Sequence, residues 1–294
     1  MRSLKRLLGY VKIGLLYAAN RVVDKEDFQQ EYNEVSKTYN LWSERMGKHT
    51  DNILKPEYLE QSGKTIQILD FACGRGYITS KLLRDTDGKI RITGLDISPG
   101  MLDCCKANID DDRAEFILAD GLEYLKKTEN KYDAVYCGWG LCYLSYKKVL
   151  RLFHRVLNKN GIAGVIVNSK GTLQDIEQIY VDAMCDNPLY IDKVMDIKFN
   201  LPKDRQELEG WFAKYGFEAV YTGEGEELVY FDTPEELYRW LRNTGAAAGM
   251  GKIFNHNEAM EKEIIKRIKE KRYINGKYMI NHKFAYGVFR KGEN

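Results

Sequence analysis

No two cysteines in this 294-residue chain are spaced C-x-x-C, and none of its four histidines stands at metal-ligand spacing from another. No metal site is expected. Cys73, Cys104, Cys105, Cys137, Cys142 and Cys185 are read as reduced thiols of a cytosolic protein, several of them on predicted buried elements, the alternative role for Cys137 or Cys142 being to line the pocket as small hydrophobes. An apolar run long enough to cross a bilayer is also missing. The nearest approach, SLKRLLGYVKIGLLYAANRVV at residues 3–23, is interrupted by Lys12, which makes it a poor secretory leader as well. The phosphate loop G-x-x-x-x-G-K-[ST] does not occur. The dinucleotide signature G-x-G-x-x-G fails in both registers, its third glycine falling on Thr79 or on Tyr77. A net charge of +2, with no basic stripe in the core and no appended RNA-binding module, argues against nucleic acid as a partner.

What remains is an ordinary globular composition, 44% hydrophobic and 30% charged, in a chain long enough for a sizeable core. Its centre is residues 66–79, IQILDFACGRGYIT. Ile66, Ile68, Leu69 and Phe71 predict a buried parallel strand, and Gly74 and Gly76 predict a turn at which backbone can approach a ligand. A second strand, 91–95, ends in Asp96, where a Rossmann-like fold contacts a ribose hydroxyl pair. The strand–helix beat continues. Ser98-Pro99 opens a helix, strands are expected at 115–118 and 132–137, a helix at 146–157, and a fifth strand at 162–167 after a stop at Asn160-Gly161. Such alternation predicts an α/β fold with a doubly wound parallel sheet. Ligands then bind at the carboxyl ends of the strands, where Asp70, Asp96, Asp120 and residues 137–143 converge. Asp70 beside the glycines suits a cationic or amine-bearing ligand better than a pyrophosphate.

Three ordered segments, D-x-x-C-G-x-G at 70–76, GLDISPGML at 94–102 and Ala119-Asp120-Gly121, resemble the class I S-adenosylmethionine (SAM)-dependent methyltransferases. The resemblance implies SAM as cofactor and a Rossmann-like seven-stranded sheet, mostly parallel, whose last strand inserts antiparallel. It implies that Asp70, Ala72, Gly74 and Gly76 hold the methionine end, and that Asp96 accepts from the ribose hydroxyls. Ile97 and Met101 would pack near the adenine, and Asp120 and Gly121 would meet its amino group. Cys137, Gly138 and Trp139 would run past the methionine moiety. Cys137-Gly138-Trp139-Gly140 stands where nucleic-acid methyltransferases carry N-P-P-Y or D-P-P-Y. The stretch 231–246, FDTPEELYRWLRNTGA, is similar to the segment after the sixth strand in trans-aconitate and malonyl-carrier-protein O-methyltransferases. That likeness implies a small-molecule or carrier-bound acceptor, with methylation of a carboxylate or hydroxyl. A non-catalytic SAM-binding subunit is the reading from a different class.

Around this domain, expected over 61–294 with insertions at 171–200 and 232–275, two further segments are expected. Residues 27–60 resemble the family's helical lid, which implies that Tyr39 and Trp42 shape the acceptor pocket. Trp139, Tyr143 and His49 are the other acceptor-pocket candidates, and no general base is identifiable. A carboxylate acceptor would need none, being ionised at neutral pH. Residues 1–26 carry a helix with Leu4, Leu7, Leu8, Val11, Leu15, Ala18 and Val22 on one face and its basic residues largely on the other. Two readings stand: the helix packs on the domain or on a second subunit in a homodimer, or it lies on a membrane surface and brings the protein to a lipid-soluble acceptor.

Overall fold

In the computed structural model, which describes residues 2–54, 57, 59, 64–86, 89–271 and 273–292, five strands run parallel. They are β1 (Ile66–Phe71), β2 (Ile90–Asp96), β3 (Ala114–Leu118), β4 (Tyr132–Gly138) and β5 (Leu157–Asn168). Three more follow, β6 (Phe217–Phe231), β7 (Tyr273–Ile274) and β8 (Lys277–Lys291), giving the order β3-β2-β1-β4-β5-β8-β6 with β7 paired to β8 alone. β8 is antiparallel to both β5 and β6, as the resemblance implies. The sheet has eight strands rather than seven. The extra one arises because Asn275 and Gly276, at φ 50° and 81°, form a two-residue hairpin turn that pairs β7 with the start of β8. The expected lid boundary at 60/61 lies outside the described residues.

The pleat sorts side chains onto two faces. Leu69, Phe71, Val135, Cys137, Ala163, Val165 and Val167 face one core. Ile66, Ile68, Ala134, Tyr136, Ile162 and Ile166 face the other. Both faces of β1, β2, β4 and the second half of β5 are covered, which is why these are largely apolar, whereas no residue of the edge strand β3 is buried. Eleven helices are described: α1 (Arg2–Ala18), α2 (Lys25–Val35), α3 (Asn40–Thr50), α4 (Tyr77–Asp85), α5 (Pro99–Asn108), α6 (Gly121–Lys127), α7 (Tyr146–Val156), α8 (Gln174–Asp186), α9 (Arg205–Ala213), α10 (Pro234–Asn243) and α11 (Glu258–Lys271). α6, α7 and α9 contribute to the first core, and α3 and α4 to the second. The segments expected as insertions, 171–200 and 232–275, form a third apolar cluster with Leu16 of α1 and with Val229 and Ile280 of the long β6–β8 pair.

One boundary departs from expectation. α7 passes directly into β5 at Leu157, which pairs with Tyr132 and is buried, so the sheet captures the chain before Asn160-Gly161 can act as a stop. Asn160 instead sits at φ 63° within the irregularity of the β4–β5 register. At Ser98-Pro99 the local signal operates as read, and Thr233-Pro234 works the same way. The Ser98 side chain accepts from Met101 N–H with Pro99 in the first turn, and Thr233 accepts from Glu236 N–H with Pro234 in the same place.

Phe212 of α9 is fully buried and stacks on Phe289 of β8 with ring centroids 3.7 Å apart. Phe212→Ala is expected to cost about 3–5 kcal/mol in urea unfolding, because the stacked partner cannot follow the lost ring. A loss below about 1 kcal/mol would show that the first core collapses around the gap.

Candidate cofactor and acceptor site

A cleft opens at the carboxyl ends of β1, β2 and β4. It has two chambers that share Tyr39, Ala72, Gly74, Gly138 and Trp139. The backbone creates the space: Ala72, Gly74 and Trp139 adopt φ of 57°, 55° and 65°, so the loops after β1 and β4 bend sharply away from the strand axes. A Cβ on Gly74 would meet nothing within 4 Å, so the space above this residue is open to a ligand. The first chamber encloses about 900 Å³, part of it open to solvent.

Asp96 lies at the floor of the first chamber. Its Oδ2 accepts from Gly74 N–H and its Oδ1 from Ser98 N–H, both at 2.8 Å, so β2, the glycine turn and the cap of α5 meet on one carboxylate. Burial holds its pKa above the ordinary value against these two donors. Ile97, Met101 and Gly121 line the same chamber, with Phe71, Leu95 and Ala119. Asp120 stands at its rim in two structural roles. Oδ1 caps α6 by accepting from Glu123 N–H, and Oδ2 accepts from Lys25 Nζ at 3.1 Å.

Asp70 borders the second chamber with Thr50, Cys73, Arg75 and Tyr77. Its Oδ2 accepts from Thr79 Oγ1 at 2.7 Å and from Thr79 N–H at 3.2 Å. Oδ1 is buried without a partner among the described residues. An unpartnered carboxylate oxygen away from water is costly, and burial pushes the Asp70 carboxyl up to about 7. Both the orphan oxygen and the raised pKa call for a donor, and a cation most of all.

Three expected site residues lie outside both chambers. Gly76, at φ 82°, is the N-cap of α4, and a Cβ there would come within 2.5 Å of Cys105 Sγ. It shapes the turn and packs α4 on α5, and Gly74 is left as the open approach. Cys137 points into the first core from a strand whose next residue, Gly138, reaches the cleft. His49 Nε2 donates to Glu227 Oε2 of β6 at 2.9 Å and packs on Phe284, outside both chambers. The aromatic candidates do come together. Tyr143 lines the first chamber, Trp42 the second, and Tyr39 and Trp139 both. Trp42 meets Trp139 edge-on, and Trp139 is fixed by Nε1 donating to Thr50 Oγ1 at 2.9 Å.

Helix α2, within the segment expected as a lid, supplies wall residues that the sequence did not single out. Lys25, Phe28, Gln29 and Tyr32 line the first chamber. The helix is fastened by Gln29 Nε2 donating to Ile97 O at 2.9 Å, by Asn33 Oδ1 accepting from Gly100 N–H at 2.7 Å, and by the Tyr32–Tyr143 hydroxyl pair at 2.6 Å. Its only legible signal is the capping box of Asp24 and Asp27, which marks the start of the helix but not its facing. Burial raises the pKa of Tyr32, Tyr39 and Tyr143, so these phenols stay protonated.

Residues 68–161 match the family described as a methyltransferase domain. Over 114 residues the chain is 32% identical to malonyl-[acyl-carrier protein] O-methyltransferase of Acetivibrio thermocellus, a match covering 39% of each chain. It is 26% identical to demethylmenaquinone methyltransferase of Staphylococcus aureus, covering 79% of this chain and 94% of that one. A candidate methyltransferase of Bacillus halodurans superposes with TM-score 0.54 at 15% identity, over 83% of this chain and 98% of the other, a likeness of fold. Among the described residues no helix is long and apolar enough to cross a membrane, and no group of three His, Cys, Asp or Glu could hold a metal ion. The likeness to a methyltransferase domain thus falls on residues 68–161, which span β1 to the start of β5, and both of these relatives are methyltransferases by name.

Proposed function

We propose that this chain methylates a small-molecule or carrier-bound acceptor from SAM, at an oxygen, with a carboxylate as the acceptor group that the site suits best. One observation carries the reading: a cleft that has buried carboxylates at the ends of β1 and β2, and aromatic rings on its walls, has no histidine among its lining residues. When bound, SAM supplies a methyl already activated on a sulfonium, so the chain has to bind, align and exclude water. Asp96 would hold the ribose hydroxyls, since each of its oxygens accepts one backbone N–H and keeps a lone pair free. The orphan Oδ1 of Asp70 would face the amino group of the methionine end, and Arg75, at the same chamber, its carboxylate. Ile97 and Met101 would pack on the adenine. Asp120 would receive the adenine amino group only alongside its bonds to Glu123 N–H and Lys25.

For the acceptor, Phe28, Tyr32, Tyr39, Tyr143 and Leu144 form an apolar wall with a few hydroxyls. Phenols held protonated by burial cannot serve as bases near neutral pH. The acceptor must then arrive with a nucleophile ready, and a carboxylate does so without help. The relative named for methylating a malonyl-carrier protein supports this direction.

Asp96→Ala is expected to weaken SAM binding by on the order of 2–4 kcal/mol, a loss of two charge-assisted hydrogen bonds. Unchanged affinity in titration calorimetry would remove Asp96 from the site. Asp70 gives a pH signature. With its folded pKa near 7 against an ordinary 3.8, the native chain holds the extra proton between those values. Its contribution to stability is therefore full below about pH 4 and is lost as pH rises through about 7. Asp70→Asn should flatten that part of the stability profile. SAM binding near pH 6.5 should release about one proton, read from the buffer dependence of the heat, and the release should vanish in Asp70→Asn. In a turnover screen, free and carrier-bound carboxylic acids should give methyl esters together with demethylated cofactor. Tight SAM binding with no transfer to any acceptor would favour the non-catalytic subunit.

A further inference from the structure

Helix α1 leaves its apolar face uncovered. Leu7, Leu8, Val11 and Leu15 are each at least half exposed, Leu15 to 63%. The helix is seated by its opposite side. Gly9 lies so close to α8 that a Cβ would come within 2.4 Å of the Cα of Cys185, Arg6 pairs with Asp182 at 3.0 Å, and Leu16 is buried in the third cluster. With 3.6 residues per turn, the four aliphatic side chains make one stripe. Tyr10 and Tyr17, both about half exposed, border it on one side, and Lys12 borders it on the other. Next to α1, the turn Pro188–Tyr190 adds Leu189, 95% exposed, and Tyr190.

Charge decides what covers this surface. Residues 1–23 contain Arg2, Lys5, Arg6, Lys12 and Arg21 and no acid, and of these Arg6 and Arg21 are already paired with Asp182 and Asp192. Lys12 has no ion-pair partner among the described residues. A second copy of the same helix would set cations against cations, which penalises that pairing. An anionic lipid surface matches each part: hydrocarbon boundary for the leucines, headgroup level for the tyrosines, and opposite charge for Lys12 at the edge of the stripe. At 17 residues, with Lys12 inside it, the helix lies along such a surface and does not span it.

We propose that α1 docks the protein on an anionic membrane surface, its Leu7–Leu15 stripe buried at the headgroup boundary. The docking stands on α1 and does not require the methyl-transfer reading. It bears on that reading through the chain path. Val22 bridges to Val194, and Val23 N–H donates to Val194 O at 2.8 Å, so the docked helix is tied to α2, which walls the acceptor chamber. An acceptor with a lipophilic portion would meet the cleft at the surface that carries it.

The test is co-sedimentation of the full chain with sucrose-loaded vesicles of phosphatidylcholine alone or mixed with phosphatidylglycerol. Binding is expected to the mixed vesicles, and it should fall with added salt. The pair Leu8→Gln/Leu15→Gln, at exposed positions, should lower partitioning at least tenfold. It should leave the melting temperature and SAM affinity unchanged, which separates this inference from the fate of the proposed activity. Lys12→Glu should weaken binding to the mixed vesicles. A wild-type chain that melts cooperatively yet stays in the supernatant with both vesicles overturns the proposal. So does a dimer in analytical ultracentrifugation that Leu8→Gln/Leu15→Gln dissolves, since a second copy would then cover the stripe.

Discussion

The site depends on one carboxylate holding one amide. Asp96 Oδ2 accepts from Gly74 N–H at 2.8 Å, and this bond ties the end of β2 to the turn after β1. The turn contains three residues with positive φ, Ala72, Gly74 and Gly76, of which alanine pays a steric cost that only surrounding contacts can offset. Held there, the chain enters α4 at Tyr77, and Thr79 in its first turn presents N–H and Oγ1 to Asp70. The two aspartates are thus oriented through the same turn. One ends with its bonds made and lone pairs to spare, the other with an oxygen that has no partner. On the proposed reading, that difference in surroundings suits one to accept from neutral hydroxyls and the other to face a cation.

The walls follow from a separate constraint, the placement of α2 over the carboxyl ends of the strands. Its anchors lie on three elements: Ile97 O after β2, Gly100 N–H in α5 and Tyr143 after β4. On another side, Glu31 is buried, accepts from Gly249 N–H at 2.7 Å, and has Arg242 at 3.7 Å. A helix held on opposite sides by polar bonds, while its rings face the cleft, closes the chamber without filling it.

Legibility in the sequence tracks how local the cause is. Strands β1 to β4 and the caps at Ser98 and Thr233 are encoded in apolar runs and in single cap residues, and they stand within a residue or two of expectation. Asp96 and Gly74 are legible for the same reason. The facing of α2 is not, since Gln29 and Asn33 find their partners only after the sheet has brought α5 alongside. His49 misleads because its partner, Glu227, lies on β6, far away in sequence. The start of β5 slips because pairing of Leu157 with Tyr132 overrides the Asn160-Gly161 turn signal. In each miss a long-range contact outweighs a local preference.

Helix α1 shows the limit of periodicity most clearly. An apolar stripe at helical spacing says that one face wants to leave water, and it is silent on where that face goes. What orients the helix is Gly9, the residue that lets α1 approach the backbone of α8, together with the Arg6–Asp182 pair on the same side. Any larger residue at position 9 would meet the Cα and the carbonyl of Cys185, so close contact is available to this side of the helix and not to the leucine side. The stripe is outward because the packed face is specified by fit, and fit is satisfied without it. A helix that gives Gly9, Arg6 and Leu16 to the fold and turns Leu7, Leu8, Val11 and Leu15, with Tyr10, Tyr17 and Lys12 beside them, to the surface has divided its contacts between two environments. The charge of the first 23 residues, all of one sign, fits only one of the surfaces that could complete it.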